Sequence, residues 1–469
     1  LAVESLEDRR LLAVDAHLLK DLTGNTESSF PNSMTAVGER VFFVATAADA
    51  GTELWRTNGT IGGTALVKDI LAGAEGSYPS SLTNVNGTLF FAANDGVRGL
   101  ELWKSDGTSA GTKLVRKINT ASSGSTPDNL TNVNGTLYFA AFNGQSRELW
   151  KSDGTFAGTV MVRNLGPGDA NPTYLANANG TLYFQADDGV HGAEIWKSDG
   201  TFAGTKLVSD LVTGSAGSYP SQFTEMKGTV YFRGDNGNEL WKTADNAKGA
   251  VLMRPSTGHP IDELTNYKGT LFFTVDNGDV TRLWKTNGTV AGTGPFFSAL
   301  RPFVADVKGL TLFNGGLYFA ADDGEIGSEL WKTNGTEAGT KLVRNIRPDN
   351  AYYGSPIDSS PRELTNVLGT LFFSANDGVA GGHGRELWMS DGTWKGTVLV
   401  DDISPGSDSG GPIHLVNANG KLYFAAQTPA NGNEPWKVDV NADPTITFST
   451  ATVTYRENAP PLVVVPDAV

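Results

Sequence analysis

One string recurs along the whole chain: Glu-Leu-Trp or a close variant, usually a charged residue, then a Gly-Thr turn. Trp55, Trp103, Trp150, Trp196, Trp241, Trp284, Trp331, Trp388 and Trp436 fill the same slot, at intervals of 43 to 57 residues with a mean of about 48. The tenth tryptophan, Trp394, falls in a turn. A fixed period of this size means a solenoid or a propeller, because each unit must bury its faces on its neighbours.

The second repeat shows the unit. A short alternating run at 82–85 leads to Asn86-Gly87, a pair that tolerates the positive φ of a tight hairpin. Residues 88–93 are rich in β-formers and read as a second strand. A loop follows at 94–99, then Glu101-Leu102-Trp103-Lys104 as a third strand. The turn 105–112 carries two glycines, and 113–118 reads as a fourth strand. No helical period of useful length competes. Four short antiparallel strands per repeat describe a propeller blade.

The two ends argue for a closed ring. The ninth repeat stops after Glu434-Pro435-Trp436-Lys437 and lacks a fourth strand, while His17 to Leu22 matches the fourth strand Ala65 to Ile70 of the first repeat. The N-terminal strand is therefore expected to complete the last blade and to remove two exposed edges. The predicted fold is all-β: a single closed propeller of nine four-stranded antiparallel blades. Eight blades plus one displaced repeat is the alternative. Repeats five and six depart most, with Thr243-Ala244-Asp245-Asn246 in place of the Gly-Thr turn, Arg282 in place of Glu, and Gly294-Pro295 early in the fourth strand.

Length alone, 469 residues, would suggest about three domains. The repeat makes 15–440 one unit, with 1–14 and 441–469 as separate segments. The chain has no Cys, which excludes a disulfide framework, thiolate metal sites and a Cys nucleophile. Its net charge of −15 argues against a nucleic-acid partner and against anionic lipid. No apolar run is long enough to span a bilayer as a helix.

Strings such as Glu101-Leu102-Trp103-Lys104-Ser105-Asp106-Gly107-Thr108 resemble the ELWxxDGT family of bacterial repeats, over roughly 16–440. Asn58, Asn287 and Asn334 stand where that pattern has Asp. The resemblance implies a propeller-like module of large exported proteins and implies no catalytic residues. Val3 to Ala13, with Glu7-Asp8-Arg9, resembles the LEPRxLL-type segment near the start of large exported planctomycete proteins. Thr452 to Pro460 resembles the first strand of a cadherin-like or Calx-beta-like domain, so 441–469 is read as a linker and the truncated start of a further module. The absence of an initial Met is read as a fragment or a processed form.

Three loops between second and third strands share the spacing Asp-Gly-x-x-Gly-x-Glu: Asp95 with Glu101, Asp188 with Glu194, and Asp323 with Glu329. Two carboxylates closing one loop, with carbonyls between them, could hold Ca²⁺, which takes 6–8 oxygens. The competing reading is a turn-making Asp-Gly and a Glu paired with a repeated Lys or Arg. Tyr78, Tyr219, Tyr352 and Tyr353, with Phe30, lie in blade connections near the ring mouth, where aromatics beside carboxylates suit sugar stacking. They could equally be hydrophobic plugs. Ile61, Phe156, Phe202, Val290 and Trp394 follow the Gly-Thr turns and could form a rim for a partner or fold back on a neighbouring blade. Arg233-Gly234-Asp235 spells an adhesive tripeptide that is read as chance.

No HExxH, GxSxG or phosphate loop appears, and the five His residues fall at scattered phases of the repeat. The expected function is a non-enzymatic interaction or scaffold module of a larger bacterial protein. It would be extracellular or on the cell surface, adhesive, and bind glycan or protein. It would need no cofactor, with Ca²⁺ as an optional ligand. The alternatives are a glycan-active hydrolase or lyase using loop carboxylates, and a purely structural spacer.

Overall fold

A computed structural model describes residues 14–244, 249–298, 304–347, 358–378 and 382–440, and the backbone alone of 445–448 and 451–454. Nine four-stranded antiparallel sheets follow one another as the blades of a propeller. Each innermost strand abuts the innermost strands of both neighbouring blades, and that of the ninth abuts that of the first, so the ring is closed. The described residues contain no α-helix, only a short 3₁₀ turn at Asp235–Gly237.

The second blade stands for the rest. Its strands are Ser80–Val85, Thr88–Asn94, Leu100–Ser105 and Lys113–Arg116, running outward from the channel. The first hairpin turns at Asn86 (φ 50°) and Gly87 (φ 82°), as the Asn-Gly pair predicts. Phe91 lies opposite Trp103, and Ala93 opposite Glu101. Successive side chains alternate between the two faces of a strand. Both faces of each blade are buried, so Leu102 packs with one neighbour and Trp103 with the other.

The layer between the first two blades shows the rule. Leu54, Phe42 and Val67 of one face meet Leu89, Phe91, Ala93 and Trp103 of the next. Burying one such side chain contributes about 1.5–3 kcal/mol, and the layer repeats around the ring. This is why a single blade would not be stable alone and a ring of blades is.

Closure follows the predicted route. Ala16–Leu18 pairs antiparallel with Gly432–Asp439, with Leu18 opposite Trp436. Leu19 then packs on Val41, Ala418 and Tyr423, locking the ninth blade against the first. Blades five and six form despite their divergent sequences, though the fourth strand of blade six is cut to Thr293–Pro295. After the ring, Thr445–Phe448 pairs with Ala451–Thr454 as a hairpin. The segment 1–13, and most of 441–469, lie outside the described residues.

The third-to-fourth turns are built by their own side chains. In blade two, Asp106 Oδ1 accepts from the Thr108 amide at 2.8 Å and hydroxyl at 2.7 Å. Thr108 Oγ1 accepts from Gly111 N at 2.9 Å. Buried Ser105 and Thr112 join their hydroxyls at 2.7 Å. The Asp, Thr and second Gly of the repeat are thus one hydrogen-bonded unit.

Candidate functional site

The connections between blades and the second-to-third loops share one face of the ring. There the chain enters each innermost strand through a β-bulge. One residue near the start of that strand is left-handed in every blade: Ser33, Ser81, Asn129, Tyr174, Gln222, Glu263, Asp306, Glu363 and His414, with φ of 50° to 61°. A register shift accompanies each bulge, as at Ser80/Thr83 in the second blade. Bulges re-aim side chains, and here they do so at the channel mouth.

Aromatic residues occupy several of these left-handed positions. Phe30, Tyr78 and Tyr219 precede their innermost strands with φ of 48° to 50°, and Tyr174 is itself a bulge residue at 54°. A bulky residue in this region is a steric outlier that costs on the order of 1–3 kcal/mol. Yet the four are 64%, 63%, 45% and 54% exposed, respectively for Phe30, Tyr78, Tyr219 and Tyr174. The plug reading therefore fails for Tyr78 and Phe30, since burial does not offset the strain. Tyr352 and Tyr353 lie outside the described residues. Tyr174 was not singled out by sequence, because only the bulge geometry reveals its position.

The repeated Glu has a different role from either sequence reading. Glu53, Glu101, Glu148, Glu194, Glu329, Glu386 and Glu434 are fully buried. Glu53 Oε1 accepts from the amides of Ile70, Leu71 and Ser77, and Oε2 from the Ser77 hydroxyl at 2.6 Å. Glu194 likewise holds Val212 N and the Ser218 hydroxyl, and Glu329 holds Ile346 N, Arg347 N and the Ser359 hydroxyl. Each carboxyl thus ties its blade to the connection that leads to the next. Burial pushes them up, Glu329 to about 7 and Glu386 to about 8, against the lowering effect of these hydrogen bonds.

The paired Asp residues turn elsewhere. Asp95 Oδ1 accepts from Val97 N and Arg98 N, and its other oxygen meets the Arg98 guanidinium. Burial raises its pKa, but those bonds outweigh it and hold the carboxyl below its usual range. Asp188 closes its loop on Val190 N and His191 N and binds His191 Nδ1 at 2.8 Å. Asp323 accepts from Glu325 N and Ile326 N. So Asp95, Asp188 and Asp323 serve their own turns, while Glu101, Glu194 and Glu329 serve the connections. Among the described residues no cluster of three or more His, Cys, Asp or Glu is placed to share a metal.

On the outer rim, Phe156, Phe202 and Trp394 are exposed, each under an arginine of the preceding blade. The guanidinium carbons of Arg116, Arg163 and Arg344 lie 4.7, 4.8 and 4.9 Å from the respective ring centroids. Arg116 also donates to Thr159 O at 2.6 Å. The rim residues thus fold back on the neighbouring blade through a cation–π contact and still present their outer faces to solvent. Ile61 and Val290 are exposed as well. In the tripeptide, Arg233 is engaged by Asp262 at 3.3 Å.

No protein-family model matches the chain, and no curated protein matches it. Solved structures resemble it in fold. One comes from a study of two prolyl endopeptidases, at 13% identity and a TM-score of 0.43, covering 76% of this chain and 56% of that one. A puromycin-hydrolysing peptidase of Mycobacterium tuberculosis gives 11%, 0.40, 76% and 59% for the same quantities. A catalytically inactive virginiamycin B lyase of Staphylococcus aureus, solved with quinupristin, gives 17%, 0.35, 67% and 95%. The chain thus matches little more than half the length of the two peptidases.

Proposed function

We propose that this chain is a non-enzymatic interaction module of a larger exported bacterial protein, and that it binds glycan on the face of the blade connections. The observation that carries the reading is the set of exposed aromatics, Phe30, Tyr78, Tyr174 and Tyr219, kept in strained left-handed backbone. Strain retained without burial is a mark of a working surface. Flat aromatic faces beside polar groups suit the alternating faces of sugar rings. Further support is the use made of the carboxylates. The buried glutamates hold connections, and the loop aspartates close loops, so both sets are engaged in structural hydrogen bonds.

Export and display at the cell surface rest on the resemblance of the repeats and of residues 3–13 to segments of large exported proteins. The test is an oligosaccharide array with the intact chain and with Tyr78→Asn and Tyr219→Asn. Asn tolerates the left-handed region, so the variants should melt no lower than the parent. Loss of glycan binding with an unchanged or raised Tm is expected. Full binding by the double variant would refute the role of these aromatics.

A further inference from the structure

In blades two, three, four, seven and nine the first hairpin turns on Asn-Gly: Asn86-Gly87, Asn134-Gly135, Asn179-Gly180, Asn314-Gly315 and Asn419-Gly420. An asparagine side chain before glycine is open to attack by the next backbone nitrogen, because glycine has no Cβ to hinder the approach. The attack requires a glycine amide that is free to turn and to lose its proton.

In three of these hairpins the amide is tied. Asn84 Oδ1 accepts from Gly87 N at 3.0 Å, Asn132 Oδ1 from Gly135 N at 2.9 Å and Asn177 Oδ1 from Gly180 N at 2.9 Å. The acceptor always stands three positions before the glycine. In blade nine Asn417 stands in that slot, Gly420 is buried, and Asn419 Nδ2 is tied to Gly38 O at 2.7 Å.

Blade seven breaks the rule. Its residue in the slot is Leu312, whose side chain is 48% exposed and has no acceptor to offer. Among the described residues nothing accepts from Gly315 N. Asn314 and Gly315 are both exposed, so water reaches them. Asn314 Nδ2 donates to Gly369 O of blade eight at 3.3 Å, just beyond the usual range for such a bond.

We propose that Asn314 is a modification site, converted to aspartate and isoaspartate with water as co-reactant, and that the asparagine three positions before the glycine protects the other hairpins. Gly315 N loses its proton and bonds to Asn314 Cγ. The Cγ–Nδ2 bond breaks, and that nitrogen leaves as ammonia, carrying the proton that Gly315 gave up. The succinimide so formed takes up one water. Opening at the side-chain carbonyl gives aspartate, and opening at the main-chain carbonyl gives isoaspartate. Either product has a carboxylate where Nδ2 was a donor. The bond to Gly369 O is then lost, and the hairpins of blades seven and eight loosen from each other.

The experiment holds the intact chain warm at mildly alkaline pH and follows the hairpin peptides by mass spectrometry, with isoaspartate separated from aspartate. Asn314 is expected to convert about fivefold faster than Asn86, Asn134 or Asn179, the factor that one ordinary hydrogen bond commands. Leu312→Asn installs what blades two and three carry in the slot. It should slow conversion at Asn314 by a similar factor without lowering the Tm. Asn84→Leu should speed conversion at Asn86. Because Asn84 Nδ2 also donates to Ala36 O of blade one at 2.9 Å, a melt checks that variant, and should it fold poorly Leu312→Asn decides alone. Equal rates at Asn314 and Asn86 in the parent, or a parental rate at Asn314 in Leu312→Asn, would overturn the proposal.

Discussion

Ser29 and Glu434 stand 405 positions apart and are directly bonded: the Ser29 hydroxyl donates to Glu434 Oε2 at 2.8 Å and its amide to Oε1 at 3.1 Å. Ser77 makes the same pair of bonds to Glu53 across only 24 positions. Ring closure therefore reuses the ordinary link between blades, with the chain termini on its two sides. Leu22 N adds a third bond to Glu434 at 3.0 Å.

Removing that link should open the ring. Glu434→Ala leaves the Leu22 amide without its acceptor and removes two bonds from Ser29, which keeps only Asn433 O, a loss of about 1–3 kcal/mol. Deleting 15–22 also exposes the edge of the ninth blade. Calorimetry should show a lower Tm for both, the deletion more than the point variant. An unchanged Tm for the deletion would show that the N-terminal strand does not hold the ring.

Stability should fall as pH rises through neutrality. Glu329 and Glu386 have folded values of about 7 and about 8 against an ordinary 4.5, because burial disfavours the charged form. Between 4.5 and 8 the folded state holds protons that the unfolded state has lost, so each upward step in pH favours unfolding. On the acid side, Asp95 and Asp188 are held low by hydrogen bonds that outweigh burial, and their contribution is lost as pH falls below the ordinary carboxylate range. Denaturant titrations at pH 5.5 and 8.5 should give the higher stability at 5.5. Glu386→Gln, which mimics the protonated form, should reduce the difference.

The second glycine of each turn should be irreplaceable while the turn aspartate is present. A Cβ on Gly111 would stand 2.0 Å from Asp106 Oδ1. Gly111→Ala is expected to cost about 1–3 kcal/mol through overpacking. In the Asp106→Ala background the same change should cost markedly less, and a double-mutant cycle reads the difference. Equal costs in both backgrounds would assign the glycine some other role.

The rim aromatics should matter little to stability. Phe202→Ala removes an exposed ring and one contact with Arg163, about 0.5–1 kcal/mol. A melt showing a larger loss would mean that the rim packs more tightly than these contacts provide.

Calcium should leave the melt unchanged. Asp95 is committed to Arg98 and its loop amides, and Glu101 is fully buried, with Oε2 held by Ile118 N and the Ser125 hydroxyl. A ligand bound only by the folded form at a hundredfold excess over Kd adds about 2.7 kcal/mol, which a melt with and without chelator resolves easily.

The sequence by itself determined the repeat unit, the blade and the ring. Periodicity is local information: the Asn86-Gly87 hairpin, the Asp106 turn and the alternation about Trp103 each depend on residues close in the chain. The orphan strand beside His17 was legible because its match, Ala65 to Ile70, was written out elsewhere in the same text. What the repeated Glu does was not legible, since most of its partners are backbone amides, which carry no side-chain signature, and its one side-chain partner, such as Ser77 for Glu53, lies 24 positions away. The strain at Tyr78 and Tyr174 was hidden as well, because φ depends on how the innermost strand bulges against its neighbours. Blades five to seven make the same point. In the sequence, repeats five and six stand out only by their departures from the pattern. Only in the folded ring do Phe223, Glu263 and Gly309, drawn from three successive blades, come to border one open hollow.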